Sequence, residues 1–168
     1  MSSIPGTSGS NPTADSLIVK QKGISRHVLN KLADDFKKEQ KFTDLSLVSL
    51  YSAFGEVFDR ALSLYESSKI SKIIAFDANA QGVWKEINSS RWLLEVQGLS
   101  GEAYILFPNV NYCPCAAFKY QVLRDQSDQT CKHVLAAWLA SLDPSKVTEK
   151  HITREQFKNL LLYQVSEK

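Results

Sequence analysis

An α+β protein is expected from this chain on three grounds. Its 168 residues suit one domain around a single core. Apolar residues recur at helical spacing over 25–65 and again at the C-terminal end, whereas β-branched runs and alternation occupy 70–107. The three cysteines cluster beside a histidine, just after the last β-like run. The expected order is N-terminal helices, a small antiparallel β-meander, a metal-binding finger and a C-terminal helix.

Residues 1–16 hold five Ser, two Thr, two Gly and two Pro. That composition buries too little apolar surface to offset its ordering entropy, so residues 1–23 are assigned to a disordered arm. Ser25 is the expected cap of the first helix, with Val28, Leu29, Leu32, Ala33 and Phe36 on one face. Thr43-Asp44 opens a second, where the hydroxyl can cap and the carboxylate favours the positive helix end. Its period runs from Leu47 to Tyr65, with Gly55 as a kink or break. These helices make up a region at 24–68.

From Lys69 the period changes. Ile70, Ile73-Ile74 and Phe76 form a first strand, closed by a turn through Asp77–Gly82. Trp92, Leu94 and Val96 alternate with Leu93 and Glu95 as a second, and Tyr104–Phe107 makes a third before Pro108. Helical stretches follow near 116–124 and 132–141, which completes a finger domain at 69–142. Residues 143–168 form a helical tail whose start carries the capping-box pattern Thr153-Arg154-Glu155-Gln156. Phe157, Leu160, Leu161 and Val165 share one of its faces, either a dimer or partner surface or packed back on the domain.

Composition narrows the function. Hydrophobic residues are 43% and charged residues 23%, ordinary for a globular chain. The longest apolar run, Val134–Ala140, is far short of the roughly 20 residues a membrane helix needs, and no secretory signal precedes Lys20. An intracellular soluble protein without a membrane role is expected. Net charge is +2, with no lopsided basic patch of the kind a strong autonomous DNA binder shows. No phosphate-binding GKS or GKT loop and no ordered Ser/His/Asp set occurs, so no catalytic residues are assigned.

Cys113, Cys115, Cys131 and His133 form the pattern C-x-C, fifteen residues, then C-x-H. Three chemistries compete for them. An odd count in a reducing compartment argues against a disulfide framework. A Cys131 nucleophile with His133 as base leaves Cys113 and Cys115 without a reason to be paired. A structural zinc site uses all four at once, as a tetrahedral Cys₃His set with no open position for substrate water.

The spacing agrees with zinc. Residues i and i+2 of an extended segment share a face, so Cys113 and Cys115 can reach one ion as the third strand ends. On a helix i and i+2 diverge by about 200°, so Cys131 must stand at or before the first turn, with His133 just inside. Zn²⁺ with three thiolates and a neutral imidazole carries −1, which the helix start stabilises. With Lys119, Arg124 and Lys132 against Asp125 and Asp128, the finger sums to about zero. Tyr112, Phe118 and Tyr120 could stack on bases, but core packing is the expectation. Zinc removal is expected to unfold at least residues 104–142, whereas the N-terminal helices have their own apolar faces on which to survive.

The pattern Cys113-Pro114-Cys115…Cys131-Lys132-His133, followed by Val134-Leu135-Ala136, resembles the SWIM zinc finger. Leu50, Phe54-Gly55 and Ala61–Leu64 upstream, with Tyr112, Phe118 and Val122-Leu123-Arg124 in the finger, are similar to the small SWIM proteins of Shu-type complexes. The likeness spans about residues 43–142 and departs at Ala116, where that family's pattern has proline. It implies a ββα SWIM finger in a nuclear, non-enzymatic adaptor. Such an adaptor pairs as a heterodimer with a RecA-like recombinase paralogue and promotes recombinase filament assembly in homologous recombination. Single-stranded DNA would then be met through the complex. An autonomous single-stranded nucleic-acid-binding finger is the alternative.

Overall fold

The computed structural model describes residues 14–78, 84–86, 92–98 and 100–166. Residues 1–13 of the expected arm and the turn at 79–82 lie outside them. Helix α1 spans Ala14–Glu39, so residues 14–23, assigned above to the arm, are helical instead. No proline follows Pro12 in this stretch, and the helix runs through Gly23 and Ser25 without a start at either. Leu32 and Phe36 are buried. Gln40 ends the helix at φ 54°, donating its N–H to the Phe36 carbonyl at 2.8 Å, a left-handed cap.

Helix α2 spans Asp44–Phe54, and Thr43 caps it as expected, accepting from the Ser46 N–H at 3.2 Å. Gly55 separates it from α3, Glu56–Glu66, at φ 53° and ψ −134°, a combination open in practice to glycine alone. Leu50, Phe58, Ala61 and Leu64 face the core.

The sheet is built on β1, Ile70–Ala78. Strand β3, Trp92–Gln97, and strand β4, Ala103–Leu106, extend it as an antiparallel meander. A short β2, Trp84–Glu86, pairs with the far end of β1. The register slips between the two returning pieces, since Phe76 faces Glu86 and Ile74 faces Trp92.

The tail corrects the expectation of helix alone. After a 3-10 turn at Pro144–Lys146, residues Val147–Thr153 form β5, parallel to β1 from Ile70↔Val147 to Phe76↔Thr153. The sheet is therefore mixed. Helix α5, Arg154–Ser166, follows directly, and its capping box forms: Gln156 N–H donates to Thr153 Oγ1 at 3.2 Å, and Thr153 N–H to Gln156 Oε1 at 2.9 Å.

Two apolar layers sandwich the sheet. On one face Ile70, Leu94, Val96 and Leu106 join Leu32, Leu50 and Leu64 of the helices in a single core. On the other, Ile73, Ala75, Leu93 and Ile105 meet Phe157, Leu160 and Leu161 of α5. The C-terminal helix thus packs back on its own domain through those three residues. Leu93 lies on the face opposite Leu94 and Val96 and is buried there because α5 covers that side. Among the described residues no helix is long and apolar enough to cross a membrane.

Candidate metal centre

Strand β4 ends before Pro108, which cannot extend a ladder. The chain turns there: Asn109 takes φ 61°, and the Val110 N–H reaches the Phe107 carbonyl at 3.3 Å. Cys113 and Cys115 follow this turn, so they leave from a loop and not from the end of the strand. Next comes a wide helical turn, Phe118–Arg124, whose backbone closes with bonds five residues apart, such as Asp125 N–H to the Tyr120 carbonyl at 2.8 Å. Its first residue, Phe118, is buried and donates its N–H to Cys115 Sγ at 3.3 Å.

Helix α4, Lys132–Leu142, brings the other pair. Cys131 is its N-cap residue, extended at φ −101° and ψ 166°, and His133 lies within the first turn. Both positions are those the spacing requires. Because Cys131 is both the N-cap residue and a member of the cluster, the positive end of α4 starts at the sulfurs.

The structure brings all four residues together. Their ligand atoms lie within 4.8 Å of one another, and none of the four is more than 4% exposed. His133 Nδ1 stands 3.6 Å from Cys113 Sγ and 4.0 Å from Cys131 Sγ. A tetrahedral zinc ion with bonds of about 2.3 Å to sulfur and 2.0 Å to nitrogen would hold the nitrogen about 3.5 Å from each sulfur and the sulfurs about 3.8 Å apart, so the set fits zinc once its widest separation contracts by about 1 Å. Nδ1 would then be the ligand, and His133 Nε2, buried and without a hydrogen-bond partner among the described residues, would face away from the ion. The Tyr104 ring stacks on the imidazole, 4.1 Å between centroids and 29° between planes, and fixes its rotation.

Three thiols this close cannot all ionise without a cation. Hydrogen bonds from Cys113 and Cys131 draw Cys115 well below the usual thiol range. Cys113 is pushed far above it by its bonds to Cys115 and Cys131 and by burial. At Cys131 the bond to Cys113 pulls down, but the bond to Cys115 and burial outweigh it, leaving the thiol at about 11. A divalent ion reverses the balance by neutralising all three thiolates. The four residues form a buried cluster able to hold a metal, and zinc is the ion their chemistry suits.

The aromatics near the finger divide. Phe118 is core, as expected, but Tyr112 and Tyr120 are roughly half exposed. For Tyr120 the wide turn is the reason, since it rotates successive side chains away from the faces a 3.6-residue period assigns, whereas Tyr112 stands in the loop before that turn. Arg124 lies over the Tyr120 ring at 4.7 Å, with Lys119 at 5.9 Å. A row on the outer face of α2 is a feature the patterning does not single out: Leu45, Val48 and Tyr51 are 75%, 65% and 52% exposed. Its signal is nonetheless legible, because α2 is apolar around most of its circumference.

Comparison with known proteins agrees with the centre. The chain is 27% identical over 139 residues to "Zinc finger SWIM domain-containing protein 7" of Mus musculus, covering 83% of each chain. It is 27% identical to the Homo sapiens protein of that name, over 77% of this chain and 87% of the other. Identity to the Danio rerio protein is 28%, over 70% and 75%. No family model matches, and no solved structure matches. The similarity runs through most of the chain and is consistent with the SWIM zinc-finger family.

Proposed function

We propose that this zinc-finger protein is the non-enzymatic adaptor of a Shu-type complex. It pairs with a RecA-like recombinase paralogue and promotes recombinase filament assembly on single-stranded DNA, in homologous recombination in the nucleus. The observation that carries the reading is the closed Cys₃His set: four buried protein ligands leave no position at which a substrate could meet the metal. The similarity to SWIM proteins and the near-neutral charge support it, because a partner can supply the phosphate contact. The α2 row of Leu45, Val48 and Tyr51 supplies an exposed apolar face of the kind protein partners cover.

The test is affinity purification from the source cells of the intact chain beside Cys131→Ser and Val48→Asp. A RecA-like protein should co-purify with the intact chain. It should be lost with Cys131→Ser together with zinc, and lost with Val48→Asp while zinc stays bound. Absence of such a protein from the intact chain's eluate overturns the recombination assignment and leaves the zinc centre standing.

One observation favours a second reading, an autonomous single-stranded nucleic-acid module. Tyr120 offers an exposed ring flanked by Arg124 and Lys119. The Arg124 guanidinium is also paired with Asp125 at 2.7 Å, which cancels its charge locally. Binding of an oligonucleotide by the lone chain, weakening steeply with salt and lost in Tyr120→Ala, would favour this module.

A further inference from the structure

The four ligands reach the centre as two pairs from separate segments, and one side chain ties the segments together. Asn111 stands two positions before Cys113, and Thr130 immediately precedes Cys131. The Asn111 Nδ2 donates to the Gln129 carbonyl at 3.0 Å, and its Oδ1 accepts from the Thr130 hydroxyl at 2.8 Å. A backbone carbonyl only accepts, so the amide orientation is determined, and the Thr130 hydroxyl is the remaining donor. Thr130 is 8% exposed, with its hydroxyl committed to this bond. Neither bond involves the metal or its ligands.

We propose that Asn111 and Thr130 are positioning residues of the metal centre. Their clasp sets the separation of the Cys113–Cys115 and Cys131–His133 pairs before the ion arrives. The physical reason is the cost of closing the loop between the pairs, which grows with the logarithm of its length. If the clasp already holds both ends, metal binding does not bear that cost. Partners outside the ligand set that orient it are commonly worth about 10–100-fold in metal affinity. Phe118 assists by anchoring the start of the loop in the core, and the clasp aligns its two ends.

The experiment measures zinc affinity and release rate of the full chain by competition with a chromophoric chelator. Thr130→Val removes the hydroxyl at nearly constant volume, Thr130→Ser restores it, and Asn111→Ala removes both bonds at a position exposed enough to be cut back without harm to the core. Thr153→Ala, at the distant α5 cap, serves as a variant of similar stability cost. Thr130→Val and Asn111→Ala should each lower zinc affinity about 10-fold or more. Together they should be little worse than the stronger one alone, because they break the same clasp. Thr130→Ser and Thr153→Ala should stay within about twofold of the wild type. Unchanged affinity in both Asn111→Ala and Thr130→Val overturns the proposal, as does an equal loss in Thr153→Ala, which would mark a general effect of stability. The proposal rests on the zinc centre and not on the adaptor reading. A wild-type chain that takes up no zinc sinks the centre itself, whereas normal uptake unaffected by the variants sinks the clasp alone.

Discussion

Cys131 shows how much one residue can carry here. It ends a loop, caps α4 and faces His133 across the centre. Structural zinc contributes about 10–16 kcal/mol of apparent binding energy in small fingers, against about 5–15 kcal/mol for the stability of a whole domain. Cys131→Ser should therefore lose both zinc and the tertiary structure of the domain, the finger at 104–142 included, seen as collapse of amide dispersion in NMR spectra. Tyr65 and Asp143 give a milder case. The Tyr65 hydroxyl donates to Asp143 Oδ2 at 2.8 Å. Hydrogen bonds from Ser145, and then that from Tyr65, hold the Asp143 carboxyl below its ordinary range. A depressed carboxyl adds stability that is present above the unfolded value of about 3.9 and is lost as pH falls through the folded value. Tyr65→Phe should cost about 1 kcal/mol at neutral pH, with the difference from wild type shrinking in melts run below about pH 4. The ligands are legible in the sequence because C-x-C and C-x-H make a pattern. Asn111 and Thr130 are not, since one amide and one hydroxyl form no pattern until the fold sets them side by side.

Elements are legible where a local signal chooses them. Thr43 before Asp44 and Thr153 with Gln156 both cap as their spacing implies. Gly55 breaks the helix as expected because φ 53° with ψ −134° excludes other residues. Among the described residues a methyl group at that position would meet nothing within 4 Å, so the cost of Gly55→Ala is conformational. It should destabilise by about 1–3 kcal/mol, read from the urea midpoint at constant slope. Strand β5 is hidden for a different reason. Val-Thr-Glu-Lys-His-Ile-Thr holds three charged or titratable residues in a row, as edge strands do to avoid pairing with strangers. Its position comes from distant partners, with Ser71 Oγ and Thr148 Oγ1 at 2.9 Å and an ion pair between Lys150 and Glu95. The wide turn at Phe118–Arg124 likewise has no sequence signature, and it is why a regular helical period puts Tyr120 on the wrong side of the surface.

The whole molecule corrects the picture of two separable regions. Cys113, Cys115 and Cys131 sit in the same apolar cluster as Leu32 of α1, Leu50 of α2 and Leu64 of α3. Metal removal should therefore not spare the N-terminal helices, as independent apolar faces would allow. Chelation should lower the melting temperature of the entire chain in one cooperative step, with helical circular dichroism and finger NMR signals lost together. A helical signal that outlasts the finger by many degrees would restore the two-region picture. Beyond equilibrium, the parallel pairing of β5 with β1 orders events on the ribosome. Ser71 and Thr148 are 77 positions apart, so at about 5–20 residues per second roughly 4–15 s separate the synthesis of one edge from that of its cover. All four metal ligands emerge within that interval. The finger can close around its ion while one flank of the sheet still stands open, and that open flank is the form of the nascent chain that a chaperone would meet.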